Sequence, residues 1–342
     1  MPHYRKLLLT AGIDVSAKTL NVAWRDLKGE ISENEFENNE SGHSALIRLF
    51  RAGKRACQVV LEATGNYHLD LAMALTHAGC SVMVANPLAT HHHAASKLRR
   101  AKTDRIDAKD LLSFCEKGEF KLWTVPSPAT MALRDYARRI QSLIEQMTAE
   151  KNRFHAAKAK SGTPAIVLGD IEDSIVGLNK RIRRLEMAAV QLMKSDVQLE
   201  KAQRVVTSVK GFAARSAVKI LAELLVLPAD MTPKQIVAYA GLDPRPFQSG
   251  TSVHGKRRIS RVGNKRLRAA LFMPTMAAVR FEPAVRAAYQ ALVARKGPTS
   301  KLLALTAMSR RLLQVLWQML RTSQAFDGAK FGSAPRNLPA AA

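Results

Sequence analysis

In the stretch "KTDRIDAKD", residues 102–110, Asp104 and Asp107 lie three residues apart. That spacing brings two carboxylates onto one face of a helix, where they repel by roughly 0.2–0.5 kcal/mol if exposed. Lys102, Arg105 and Lys109 are interspersed, so the pair alone reads first as a solvated helix face. It gains a chemical meaning only if other acids meet it. Asp14 stands where the apolar run "LLLTAGID" gives way to "VSAKT", and Glu62 closes the apolar run "QVVLE". A charge at the end of a buried strand needs a partner or a metal. If the strands carrying Asp14 and Glu62 are sheet neighbours and the helix with Asp104 and Asp107 packs across their ends, four carboxylates converge. Oxygen ligands of this kind suit Mg²⁺ or Mn²⁺ better than Zn²⁺. Two such ions about 3.5–4 Å apart clamp both oxygens of an in-line phosphodiester displacement.

The elements needed to position these acids can be read along the first 125 residues. Three strand signals ("KLLLTAGIDVS", "LNVAWRDLKG", "ISENEFENN") precede a helical stretch at Ser41–Ala52. A buried strand "ACQVVLEAT", a helical stretch at Tyr67–Ala78, a strand "CSVMVANP" and the helix with "TDRIDAKDLLSFCEK" follow, with Thr103 as its N-cap. A three-strand meander followed by αβαβα is the order of an α/β ribonuclease H-like domain, with the first and fourth strands adjacent. "HHH" at 91–93 is read as a polar loop or phosphate-contacting turn, because adjacent positions of a helix cannot all face one ion.

Charge divides the chain in the same place. The whole carries +25, but the first 125 residues hold 17 Lys and Arg against 14 Asp and Glu, and the remainder 36 against 14. A polyanion is the expected partner, with nucleic acid ahead of a membrane surface, since no apolar run approaches the roughly 20 residues of a bilayer span. The three cysteines lack metal-ligand spacing and read as free thiols of a reducing cytoplasm.

Three domains are expected: 1–125, catalytic; 126–203, a helical coiled-coil hairpin after the linker "TVPSPAT"; and 204–342, mostly α. Leu133, Tyr136, Ile140, Leu143 and Met147 form one heptad seam, and Ile171, Ile175, Leu178, Ile182, Leu185, Ala189 and Leu192 a second. The seams serve either self-association or packing within one chain. "TSVKGFAARSAVKILAELL" partly matches a helix-hairpin-helix, with Gly211 in the turn. From Arg245 to Arg268, "RPFQSGTSVHGKRRISRVGNKRLR" holds Arg245, Lys256, Arg257, Arg258, Arg261, Lys265, Arg266 and Arg268 with no acid. This run is the expected nucleic-acid grip. In it "QSGTS" offers Ser249, Thr251 and Ser252 as hydroxyl nucleophiles, or is a surface turn without chemistry.

Taken together, "GIDVSAKTLNVAW", "LEATGNYH", "VANP", "KTDRIDAKDLLSFC" and "AGLDPRPFQSGTSVHGKRRISRVGNKRLRAALFMPTMAA" resemble the DEDD transposases of bacterial insertion sequences. Actin-like ATPases also open on a "GIDVS"-like strand, but their Gly-rich phosphate loops are not evident. The transposase resemblance implies a recombinase guided by a bridge RNA, with Asp14, Glu62, Asp104 and Asp107 as the Mg²⁺-binding acids. It implies Ser249 as nucleophile, DNA and guide RNA as partners, and a homo-oligomer, dimer or tetramer, in which acids and serine can come from different protomers. Two readings compete with it: a junction-resolving nuclease that uses water, and a non-catalytic architectural nucleic-acid-binding protein.

Overall fold

The structure is a computed structural model that describes residues 8–26, 28–52, 56–63, 65–96, 104–245, 248–249, 253–254 and 258–332. It separates into two compact units, Met1–Val125 and Pro126–Ala342.

The first unit is built on a five-stranded sheet of β1 (Leu8–Val15), β2 (Thr19–Arg25), β3 (Ile31–Glu37), β4 (Ala56–Glu62) and β5 (Ser81–Ala85). Strand order is β3-β2-β1-β4-β5. β1 pairs antiparallel with β2, β2 with β3, while β1–β4 and β4–β5 are parallel. The meander-first order expected from the sequence is therefore the order observed. Helices α1 (Glu40–Arg51), α2 (Leu69–His77), α3 (Pro87–Ala95) and α4 (Asp104–Lys117) complete the unit.

Period-2 patterning assigns the two faces of the sheet. Leu9, Ala11, Ile13 and Val15 of β1 join Leu20, Val22, Val59 and Leu61 in a core closed by Leu46 and Phe50 of α1 and Leu71 and Leu75 of α2. On the other face Ala23, Val60, Met83 and Ala85 pack against Ala108, Leu111, Leu112 and Cys115 of α4. Gly12 is the reason α4 can lie so close. A Cβ built there would sit 2.1 Å from the Leu112 amide nitrogen and 2.4 Å from the Ala108 carbonyl oxygen. β3 is the polar edge strand, and its Glu33 is paired with Lys109 Nζ at 2.6 Å.

The reading of "HHH" as a loop or turn does not hold: it lies inside helix α3. Pro87 occupies the helix start, where its missing N–H costs nothing, and Ala89, Ala94 and Ala95 are strong helix formers. The His91 and His92 rings meet edge to face at 6.0 Å, while His93 turns inward, with Nε2 3.2 Å from Ser113 Oγ and its ring edge-on to Phe114.

The second unit opens with two long helices, α5 (Pro128–Ala159) and α6 (Ala165–Ser195), capped at the start by Ser127 and reversed through 160–164. Ile140, Leu143 and Ile182, flanked by Met147, Leu178 and Leu185, form one cluster, so the two seams meet within a single chain. Buried residues stop at Leu143 on α5 and begin at Ile182 on α6. The main core lies beyond them, among α7 (Val197–Thr207), α8 (Ala214–Leu224), α9 (Pro233–Tyr239), α10 (Lys265–Phe281), α11 (Pro283–Lys296), α12 (Lys301–Thr322) and α13 (Gly328–Gly332). Between α9 and α10 run four two-residue strands: β6 (Pro244–Arg245), β7 (Gln248–Ser249), β8 (Val253–His254) and β9 (Arg258–Ile259). Among the described residues no helix is long and apolar enough to cross a membrane.

Candidate active site and nucleic-acid interface

The register of the sheet places the first two acids. The parallel ladder between β1 and β4 ends at Ile13–Leu61, so Asp14 and Glu62 follow as the next opposed positions. Both alternate away from the buried Ile13 and Leu61 and therefore belong to the α4 face. Asn21 lies opposite Asp14, and Ala85 opposite Glu62. The row Asn21–Asp14–Glu62–Ala85 thus crosses four strands at one edge of that face. Asn21 is almost wholly buried; a lone amide inside "TLNVAW" is the sequence signal that this row is polar, and the patterning of apolar runs passes over it.

The direction of α4 brings its acids toward that row. Near the C-terminal end of α4, Cys115 Sγ reaches the Gln58 carbonyl at the start of β4, and Thr10 Oγ1 donates to Glu116 at 3.2 Å. One and two turns earlier the helix backbone crosses Gly12. The helix consequently runs opposite to β1, and the turn carrying Asp104 and Asp107 points to the strand end carrying Asp14. The Asp104 side chain lies outside the described residues. Among those described, no three Asp, Glu, His or Cys side chains close into a metal-sized group.

Two further interactions hold this arrangement, and neither was legible in the sequence. Thr90 of α3, itself buried, donates its hydroxyl to Glu62 Oε2 at 2.7 Å. At the other end of α4, Arg25 Nε meets Glu116 Oε1 at 2.6 Å. Burial pushes the Glu116 carboxyl up, but the Arg25 hydrogen bond and charge, aided by Thr10, outweigh it and hold the group below the usual range. Cys115 behaves oppositely: burial pushes its thiol up to about 12. All three cysteines are free and buried. The donors at the strand ends are thus carboxylate oxygens, a set that fits a hard divalent cation.

In the second unit the basic run forms small antiparallel ribbons. Arg245 is directly opposite Arg258, and both are exposed. Like charges at opposed ladder positions destabilise a sheet, so this pairing favours a bound anion. Ser249 pairs with Val253 in the β7–β8 ribbon; its side chain, Thr251, Ser252, Lys256 and Arg257 lie outside the described residues. The ribbon's roots are tied down. Ser260 donates to Asp243, and the Asn264 side chain caps α10 through the Arg266 and Leu267 amides. The same Asn264 donates to buried Glu223 at 2.7 Å and to the Tyr239 hydroxyl at 2.9 Å, while Arg138 of α5 approaches Glu223 at 4.0 Å.

The expected phosphate contacts divide accordingly. Lys265 and Arg266 are exposed at the start of α10, where the dipole also favours anions. Arg261 is exposed with φ 55°. Arg268 instead donates to the Ala240 carbonyl at 2.7 Å and helps close α9. The turn between α7 and α8 forms as expected, but Gly211 serves packing there. At φ 107°, its position for a Cβ lies 2.5 Å from the Ala278 amide of α10.

The chain is similar to known proteins. Residues 11–157 match the DEDD transposase family of IS110, and residues 203–290 match the transposase family IS116/IS110/IS902. The pilin gene-inverting protein of Moraxella bovis is 30% identical over 334 residues, covering 92% of this chain and 97% of the relative. The chain belongs to the IS110 transposase family. An insertion element IS110 protein of Streptomyces coelicolor is 29% identical over 56% of this chain and 45% of its own length. A solved structure, T. thermophilus RuvC in complex with Holliday junction substrate, matches 34% of this chain and 99% of its own at 12% identity and a TM-score of 0.27. The fold of this IS110-family transposase rests on its own strand order, not on that match. Family membership makes it a DNA-processing enzyme of the transposase and site-specific recombinase class.

Proposed function

We propose that this transposase cuts and rejoins DNA through a serine–DNA link, under the direction of a bridge RNA, with a ribonuclease H-like (RuvC-like) domain at 1–125 as its metal-binding half. The observation that carries the reading is the polar row at the end of the sheet: Asp14 and Glu62 at neighbouring strand ends, with the acid-bearing turn of α4 running toward them. Asp14, Glu62, Asp104 and Asp107 would hold Mg²⁺ or Mn²⁺, which when bound supplies Lewis-acid stabilisation of the oxygens around a reacting phosphate. Thr90 restrains Glu62, and α4 fixes the spacing between the strand-end and helical carboxylates.

In this reading the helical hairpin of 126–203, a coiled coil in its long seam, supports assembly into a dimer or tetramer. The unit from 204 onward supplies the grip and the nucleophile. Arg245, Lys256, Arg257, Arg258, Arg261, Lys265 and Arg266 hold phosphates. Ser249 Oγ gives up its proton and bonds to phosphorus as the phosphorus–oxygen bond to the leaving strand breaks, and the leaving oxygen takes up a proton. The ester so formed conserves the phosphodiester energy, so a second strand end can reverse the step without any external energy source.

Two substitutions test the proposal. Ser249→Ala should still bind DNA and give no denaturation-resistant protein–DNA adduct, and Glu62→Gln should bind DNA and lose Mg²⁺-dependent cleavage. Parental cleavage by Ser249→Ala, with no adduct from the parent on a nicked substrate, would favour the water-using junction nuclease instead. Full cleavage by Glu62→Gln would remove the metal assignment.

A further inference from the structure

The loops that follow the two strand-end acids border an open cavity of about 490 Å³. Ala17, three residues after Asp14, lies on one wall, and Asn66 and Tyr67, four and five residues after Glu62, lie on another; Asn38, His43 and Asp70 line it as well. Its size falls within the range of small-ligand sites, and it opens at the carboxyl ends of β1 and β4, the end of an open α/β sheet where ligands are usually received.

Hydrogen bonds tie the walls to one another. Asn38 Nδ2 donates to the Ser16 carbonyl at 2.8 Å and to the Tyr67 carbonyl at 3.2 Å, tying the two loops together. Its Oδ1 meets His43 Nε2 at 2.8 Å. Asn39 caps α1 through the Gly42 amide and donates to Glu37. Beside these bonds Tyr67 is 54% exposed, with its ring over Gly65, whose left-handed φ of +55° lets the chain turn beneath it.

The chemistry of the lining selects the ligand. In a chain of net charge +25, no Lys or Arg among the described residues lines this cavity, and Glu40 and Asp70 do. Burial lowers the His43 imidazole below its ordinary value despite Asp70, so it adds no cation at neutral pH. A phosphate would meet two carboxylates and no counter-charge. A neutral planar group bearing N–H donors finds an aromatic face and acceptor oxygens instead, and nucleobases have that description.

We propose that this cavity seats one unpaired nucleobase of a bound nucleic-acid strand, stacked on Tyr67; that the protein binds such a strand rests on the function proposed above. The exposed basic surface of the protein would take the backbone and this acidic cavity the base, so the two kinds of recognition are separated by charge.

The test uses the full chain with matched single-stranded DNA and RNA oligonucleotides carrying 2-aminopurine at successive positions. At one position the parent should quench the probe, Tyr67→Phe should quench it equally, and Tyr67→Leu should not. Affinity of Tyr67→Leu should fall roughly 5- to 150-fold, the range for one stacked base. Tyr67 is exposed, so thermal unfolding of the leucine variant should match the parent and separate a stacking defect from misfolding. Quenching with DNA alone assigns the base to the substrate strand, and with RNA alone to a guide; each supports the cavity. Equal quenching and affinity in Tyr67→Leu and parent overturns it. The adduct assay run on the same proteins keeps the two readings apart. A Tyr67-dependent quench in a parent that forms no adduct leaves the cavity and removes the serine mechanism; an adduct with no Tyr67-dependent quench does the reverse.

Discussion

Gly12→Ala is the smallest change that tests whether α4 sets the geometry of the acids. The added Cβ would lie 2.1 Å from the Leu112 nitrogen, 2.4 Å from the Ala108 oxygen and 2.5 Å from the Leu111 carbon, whereas ordinary contact begins at 3.4 Å. All three obstacles are backbone, so no side chain can swing aside. To restore 3.4 Å, α4 must retreat by about 1.3 Å from β1, and the turn bearing Asp107 moves with it. Overpacking of this kind costs about 1–3 kcal/mol, and a misplacement of about 1 Å at a reacting centre can cost on the order of 100-fold in rate. Gly12→Ala should therefore melt lower than the parent, keep most of its DNA affinity, and lose Mg²⁺-dependent cleavage by on the order of 100-fold. Cleavage rate by gel and stability by calorimetry measure the two effects on one preparation. Parental cleavage with lowered stability would refute the idea that α4 carries catalytic acids; parental values of both would refute the packing itself.

Three other outcomes follow from named groups. The Glu116 carboxyl is held below its ordinary value of 4.5 by Arg25, so the unfolded chain binds its proton first as pH falls. The contribution is present above pH 4.5 and disappears as pH drops through the folded value; Glu116→Gln should flatten that part of the acid-unfolding profile, and an unchanged profile would contradict the pairing. Cys115, with its thiol pushed up to about 12, should resist iodoacetamide in mildly alkaline buffer in the native state and react once urea unfolds the chain, as mass spectrometry of the labelled peptide would read. Replacing Lys256, Arg257 and Arg258 together with Ala should reduce the slope of log affinity against log salt by roughly 0.9 for each duplex phosphate that is no longer neutralised, and an unchanged slope would take the run off the DNA.

The strand-end acids were legible because local patterns constrain them strongly. An apolar run ending in a carboxylate, read with the meander-first order, is enough to make Asp14 and Glu62 neighbours. The interactions made by long-range packing were not legible. Nothing near Thr90 marks it as the partner of Glu62, and nothing near Gly211 says that α10 presses against it. Arg268 sits in a basic run like its neighbours, yet its guanidinium closes α9. The cavity beside Tyr67 is illegible for a related reason: its loops lie some fifty residues apart in sequence and are tied together by Asn38. "HHH" is helical because Pro87 and the flanking alanines decide the helix, and three adjacent imidazoles carry no conformational signal strong enough to oppose them.

The long hairpin has a mechanical consequence. The sixteen residues of α5 from Ile144 to Ala159 extend about 24 Å beyond the last buried position, at 1.5 Å per residue, with α6 as companion. Such an arm is a lever: a tilt of about 5° at its base carries its tip through about 2 Å over that length. The rod does not end at the fulcrum. It continues into the core as the first turns of α5, where Arg138 faces Glu223, and Glu223 holds the asparagine that caps α10 and roots the basic ribbon. Torque applied to the tip by anything that grasps it is thus borne by the packed first turns of α5, where Leu133 and Ala137 share a core with α8 and α10 and Arg138 lies 4.0 Å from Glu223.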